Sequence, residues 1–586
     1  MRTRCEQGLM GRAGRGTVTL AGTLLLMLLL VGGGRWARVA LASAGAGAGA
    51  AGERTWYVRL DGGDRKQCTG LADAAYRGHG TNQPCAFKHP QMLFSNDEYN
   101  NKKWLVAGGD TMVLRGGPYR MGYRGPDPKD APGLCPGNPY ECYMPPVPSG
   151  TKERPTRLLG EHFASCGAGA KTQLFGGFAL GLVVNLSDSQ YVDVECLELT
   201  DHGQCTRVAG VPASDNCQTG YPLSDFAGAG IGTNPGTANV LLKNLDIHGF
   251  QSRGIIGAIG GDVYAEHVRI AFNGGAGWDF DDGKGTKSTS AAFVHGKDLT
   301  VEWNGCNEEY PITHAVPAHT CFDQDNGGYG DGIGTPDTPL NFTCDHCAFR
   351  YNTQDGFDLL HVGGSVIAVT NSISVGNMGQ QWKMGAMQHV VFRNNVTVHN
   401  CSRMSAAFPG APEDYHRHLS LFCRASGDGI AFAVVDGGSY VFQNNSYVGY
   451  GTTSYDFSCG VEHCGQSNIV FENNLHIGYK SPKDGQLPAI FYPQNLPKNP
   501  FQARDHNIYY RMRSCPSGPS ERCVDPKVVN LPAWAGEASL DGLDLHLAAG
   551  SPARGSGTAA PEVTTDFDGV ARPSGAVDVG AFQNRP

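Results

Sequence analysis

The sequence predicts an all-β protein, a right-handed parallel β-helix with an N-terminal cap and disulfide-rich loop insertions. Three observations lead there. The first is a repeat: an apolar residue, a spacer, then Asn, Asp or His, two further positions, then Ile, Val or Leu. Leu242-Lys-Asn244-Leu-Asp-Ile247, Ala265-Glu-His267-Val-Arg-Ile270 and Gly296-Lys-Asp298-Leu-Thr-Val301 are copies. Asn371, Asn394, Asn444 and Asn473 stand at the same place in later copies. Asn244 to His267 and Asn371 to Asn394 are steps of 23 residues, the length of one solenoid coil. The second is apolar alternation within each copy, which points side chains into a core shared with neighbouring coils. The third is glycine, 82 of 586 residues without a collagen period, as many tight corners require. A β-sandwich with turns every 8–12 residues would not restore one Asn every two dozen residues or so.

Taken in order, residues 1–44 read as an export signal. Arg2, Arg4, Arg12 and Arg15 precede an apolar run from Leu20 to Val31, and Ala42-Ser43-Ala44 fits a cleavage site, with Ala40-Leu41-Ala42 as a second fit. A retained anchor is the alternative. Residues 45–54 form an Ala/Gly linker. Residues 55–171 hold the cap, with a short helix expected near Phe87 to Phe94, and a Cys/Pro-rich insertion. Residues 172–510 form the β-helix and 511–586 a C-terminal capping segment that covers the last coil's open edge. A secreted or periplasmic monomer is expected, free of the membrane once the signal is cut.

Of 19 cysteines, Cys5 falls in the signal and 18 remain, an even number suited to an oxidising compartment. Close pairs are Cys68/Cys85, Cys135/Cys142, Cys205/Cys217, Cys306/Cys321, Cys401/Cys423, Cys459/Cys464 and Cys515/Cys523. Cys344-Asp-His-Cys347 leaves a redox or zinc site open. A net charge of −9 argues against nucleic acid as a partner. An acidic polymer remains open as a partner if a divalent cation bridges the two. The Asn-x-Ser/Thr sites at Asn185, Asn341, Asn395, Asn400 and Asn444 read as ladder and strand sequence.

The chemistry-bearing stretch runs from Asp331 to Gly385. Asp331 lies in a Gly-rich turn, Gln354-Asp355-Gly356-Phe357-Asp358 follows one coil later, and Lys383 sits one coil beyond that, between Trp382 and Met384. Stacking would bring these acids and the lysine to one patch. Clustered acids repel unless a cation lies among them, and hard oxygen ligands with flexible spacing suit Ca²⁺. The alternative is solvated turn residues, since Asp-Gly is a common turn dipeptide. A lysine in an apolar setting beside a metal has a lowered pKa and can serve as a general base. The alternative is an ordinary surface lysine.

Asn352-Thr-Gln-Asp355-Gly-Phe-Asp358-Leu followed by Asn377-Met-Gly-Gln-Gln-Trp-Lys383-Met-Gly385 resembles the family nine polysaccharide lyases, β-helix pectate lyases. The resemblance implies that Asp331, Asp355 and Asp358 bind Ca²⁺ and that Lys383 is the base. Gln354 stands where that family has an acid, as a neutral ligand. It implies β-elimination on a uronate-containing, acidic polysaccharide. His361, Asn377 and Trp382 are the candidate substrate-binding residues, with His361 or a water assisting the leaving group. Two alternatives remain: a non-catalytic, calcium-stabilised glycan-binding or surface β-helix, and a β-helix glycoside hydrolase. The acidic turn from Asp279 to Asp282 is the candidate for a second cation site or a hydrolase acid pair.

Overall fold

The computed structural model describes residues 53–584, except 97–101, 123–142, 167–170, 204, 206–223, 282–283, 307, 309–320, 322–329, 336, 361, 386, 401–427, 460–466, 482–484, 492–499, 517, 519 and 534–541. The export signal, most of the linker, His361, Asp282 and six cysteines of the close pairs lie outside the described residues. No helix among the described residues is long and apolar enough to cross a membrane.

The chain winds as a parallel β-helix. Among the described residues, two thirteen-stranded sheets run the length of the molecule. A third face consists of two five-stranded sheets joined by the single bridge Ile333 to Phe357. In the long sheets each strand pairs in parallel with its counterpart one coil on, so the first sheet stacks Ala238–Lys243 on Asp262–Glu266 and then on Phe293–Lys297. The first sheet begins at Thr55–Gly63 and ends at Phe501–Asp505. In place of the expected capping helix there is a single 3₁₀ turn, Pro90–Leu93. Pro90 starts it and His89 Nδ1 accepts from Gln91 N, but the strand Phe94–Asn96 follows at once and leaves no room for more.

The repeat residue is the corner between the first and second sheets. Asn244, Asn371, Asn394, Asn444 and Asn473 all have φ between 49° and 57°, and His267 and Asp298 share that conformation. Asn is among the few side chains that tolerate it. The buried ladder is built one residue after the corner. Asn395 Oδ1 accepts from Ser372 N, Asn445 Oδ1 from Asn395 N, Asn474 Oδ1 from Asn445 N and Asn507 Oδ1 from Asn474 N, at 2.8–3.0 Å. The left-handed corner residue turns its own side chain outward, and its neighbour faces in. The corner asparagines meet the C-terminal segment instead: Asn394 donates to Thr565 O, Asn444 to Asp578 O and Asn473 to Thr558 O, while Arg572 donates to Asn394 Oδ1. Asn185, Asn395, Asn400 and Asn444 are buried, in keeping with ladder and strand roles.

A second ladder runs inside the corner that leads into the third face. Asn273 donates to Asn304, Asn304 to Asn352, Asn352 to Asn377 and Asn377 to Gln381, each amide to the next side-chain oxygen at 2.8–2.9 Å. The core beneath stacks Ile255, Trp278, Ile333, Phe357, Trp382, Ile430 and Tyr455, all fully buried. Burying each contributes roughly 1.5–3 kcal/mol.

Disulfides join Cys68–Cys85, Cys306–Cys321 and Cys515–Cys523 as the spacing suggests, and also Cys166–Cys196, a pairing the spacing did not single out. Cys344 is bonded to Cys347, which consumes both thiolates and removes the zinc reading.

Two outcomes follow from this packing. Replacing Asn352 by Ala removes the acceptor of the buried Asn304 donors, while Asn377 Oδ1 keeps the backbone N–H of residue 352, and should lower unfolding stability by roughly 3 kcal/mol, read as a urea midpoint shift. His399 and His476 are fully buried, and burial pushes their pKa values down to about 4 and about 3. The unfolded chain therefore takes up these protons first. Stability should be full above the ordinary histidine pKa of 6.5 and fall on acidification towards 4 and 3, by about 1.4 kcal/mol per pH unit for each group. The His476 ring is fully buried and stacks on Phe471 and Tyr509. His476→Phe should raise the melting temperature at neutral pH and flatten the acid limb of a denaturation series.

Candidate functional site

The third face carries the candidate site. Ile255, Trp278, Ile333 and Phe357 stack in successive coils, so the residues two places earlier stack at the corner: Arg253, Ala276, Asp331 and Asp355. On the outward side the stack is Ile256, Asp279, Gly334, Asp358, Lys383, Ala431 and Asp456. Residues spread over about 200 positions thus share two adjacent columns.

Asp331, Asp355 and Asp358 each offer a carboxylate oxygen, and these oxygens all lie within 4.8 Å of one another. All three residues are buried. Asp331 Oδ1 accepts from Asp355 N at 2.8 Å, Asp355 Oδ1 from Gln380 N at 2.6 Å, and Asp358 Oδ1 from Leu360 N at 2.9 Å. Backbone donors thereby fix one oxygen of each acid and orient the other. Lys383 Nζ donates to Asp358 Oδ2 at 2.6 Å and to Asp355 Oδ2 at 3.0 Å. Its side chain is 16% exposed.

Glycines make the room. A Cβ at Gly334 would stand 3.2 Å from Asp331 Oδ2, and one at Gly379 would collide with Asp355 Oδ1. The Asn352–Asn377 rung lies immediately before the turns that carry Asp355 and Asp358 and, one coil on, Lys383, and locks their coils in register.

Burial raises the pKa of Asp331 well above the carboxylate range, and Asp355 and Asp358 push it further. Asp358 is raised by burial and by Asp355, against the pull of Lys383. The lowered lysine pKa expected from the sequence is that of a lysine beside a metal. Burial does pull Lys383 down, but Asp355 and Asp358 outweigh it and hold the ammonium above its ordinary range. Fully ionised, three buried acids would exceed the charge of the one ammonium. A hard dication with oxygen ligands at about 2.3–2.6 Å fits oxygens at this separation, so the residues present fit Ca²⁺.

The other residues expected at the site fall elsewhere, and the strand alternation explains it. Trp382 is a correction: it points inward, fully buried, donates to Thr397 Oγ1 at 2.9 Å and packs on Phe349, Phe357 and Phe392. Asn377 is a second correction, a fully buried rung of the ladder and no surface contact for a substrate. Gln354 is buried beside the acids, and its backbone carbonyl accepts from Gly379 N. His361 lies outside the described residues. Asp279 is likewise corrected as a second cation ligand: it accepts from Arg253 Nε at 2.9 Å and from Asp281 N at 2.9 Å. Arg253 was not singled out by sequence. The available signal was its place about one repeat before Asp279.

Among solved structures the chain is similar to pectate lyase Pel9A, at 12% identity, over 91% of this chain and 96% of that one, with a TM-score of 0.42. It is also similar to an alginate lyase from Paenibacillus sp. str. FPU-7, at 12% identity over 71% and 96%, with a TM-score of 0.28. A GH136 lacto-N-biosidase from Eubacterium ramulus matches at 13% identity over 78% of this chain and 64% of that one, with a TM-score of 0.28. No family model matches the chain, and no curated protein does.

Proposed function

We propose that the protein is a secreted, Ca²⁺-dependent polysaccharide lyase that cleaves a uronate-containing polysaccharide by β-elimination. Asp331, Asp355 and Asp358 hold the ion, Gln354 stands nearby as a neutral ligand, and Lys383 is the base. One observation carries the reading: three buried carboxylates converge within 4.8 Å, with the Lys383 amine set against two of them. When bound, the cation neutralises the substrate carboxylate and acidifies the adjacent C5 proton. Neutralised acids no longer hold the proton on Lys383, so its amine is free to take the C5 proton. The C5–H electrons form the C4=C5 double bond, the C4–O bond breaks, and the leaving oxygen takes a proton from water. Lys383 can do this because the strand alternation that buries Trp382 turns its neighbour outward.

A second reading is favoured by the two lysine hydrogen bonds themselves: a non-catalytic, calcium-stabilised glycan-binding β-helix, in which Lys383 is a fixed ion-pair partner. A hydrolase acid pair at Asp279 is disfavoured, because Arg253 occupies that carboxylate.

The deciding experiment incubates the protein with a panel of uronate polysaccharides and Ca²⁺ and follows the absorbance of the unsaturated product. Lys383→Ala should lose at least about a hundredfold in rate while folding normally. Lys383→Arg should fail as badly, because guanidinium stays protonated. Turnover in either variant at the parent rate would end the lyase reading and favour the binding one. By calorimetry, Asp355→Asn should weaken Ca²⁺ binding at least about tenfold. Unchanged binding would remove the ion from this site.

A further inference from the structure

We infer that Arg253, held in place by Asp279, is an anion subsite on the same face, receiving the carboxylate of a uronate unit bound toward the N-terminal coils from the acid cluster. The acidic character of the ligand rests on the lyase reading above; the location rests on the fold.

The register supplies the first argument. Arg253 occupies the corner column that also holds Asp331 and Asp355, and Asp279 occupies the outward column that also holds Asp358 and Lys383. Arg253 reaches Asp279 in the next coil just as Asp355 reaches Lys383 in the next coil. The face therefore carries the same ion-pair geometry twice, three coils apart, with the charges exchanged. At the lysine end the acids sit in the corner and suit a cation. At the arginine end the guanidinium sits in the corner and suits an anion.

Charge is the second argument. Among the described residues, the strands of this face carry two cationic side chains, Arg253 and Lys383. Lys383 is engaged by the acid cluster. Beyond it the outward column runs to Asp456, whose pKa burial and Asp428 raise to about 7. Arg253 is thus the cationic side chain that the described strands of this face carry outside the acid cluster, while the column beyond Lys383 ends on an acid. Asp279 at Nε and Ser252 Oγ at Nη1 hold the guanidinium, and the neighbouring corner residues, Ala229 and Ala276, are small. One fifth of the arginine side chain is exposed.

Spacing is the third. Coils repeat at about 4.8 Å, close to the length of one pyranose unit, so a chain laid along the face sets about one sugar over each coil. Arg253 lies two coils before Asp331. In a two-fold ribbon alternate units present the same edge, so the unit two places from the one at the cation cluster offers its carboxylate to Arg253.

The test uses the full chain carrying Lys383→Ala, which traps ligand without turnover, with calorimetry against oligouronates of increasing length in Ca²⁺. Adding Arg253→Gln should weaken binding about tenfold or more for oligomers long enough to span both sites, and leave the dimer unaffected. The charge-neutral pair Arg253→Gln with Asp279→Asn spares the fold a buried, unpaired acid and should show the same loss. Long-oligomer binding equal to the parent in that double variant would make Arg253 only the partner of Asp279 and overturn the subsite. Equal loss for dimer and long oligomer would overturn it too. Parent-like turnover of Lys383→Ala would defeat the lyase reading instead, and absence of any oligouronate binding by the trapped protein would defeat both.

Discussion

Register is the constraint on which everything else in this molecule depends. A parallel coil places each residue over its counterpart about 4.8 Å away, and a slip of one position would turn every side chain to the opposite face. Two buried amide ladders prevent that slip. One runs through Asn395, Asn445, Asn474 and Asn507, and the other through Asn273, Asn304, Asn352 and Asn377. Each rung satisfies backbone and side-chain groups that would otherwise be buried without partners. The second ladder matters more for the site, because the turns that carry Asp355 and Lys383 leave directly from it.

Given that register, the electrostatics of the site follow. Three carboxylates within 4.8 Å, all buried, would not stay ionised alone. The fold supplies backbone N–H donors to one oxygen of each and an ammonium to the second oxygens of Asp355 and Asp358. A metal would compete with Lys383 for the same oxygens. Such a site is costly to build unless a cation of some kind completes it. At Asp279 the contrast is one buried acid held directly by a guanidinium.

Small residues shape the face as much as charged ones do. Gly334 lets Asp331 reach the outward column, and Gly379 admits Asp355. Ala229 and Ala276 flank Arg253 in the corner column. Room for the charged side chains is thus written in residues with almost no side chain.

By itself the sequence determined the coil length, the left-handed corners and the grouping of Asp331, Asp355, Asp358 and Lys383. Each of these is a local or periodic property. A corner needs a residue that tolerates positive φ, and a constant period stacks equivalent positions. Tertiary structure decided what periodicity leaves open. Trp382 and Lys383 are adjacent, and only the pairing of their strand shows that the tryptophan enters the core while the lysine faces the acids. The ladder fell to Asn395 and not Asn394, because the left-handed corner rotates one side chain out and the next one in. Cys166 found Cys196, and Arg253 found Asp279, across loops whose lengths hide the proximity. Partner choice between coils is a property of register, and register is set by the ladders and core of the whole stack.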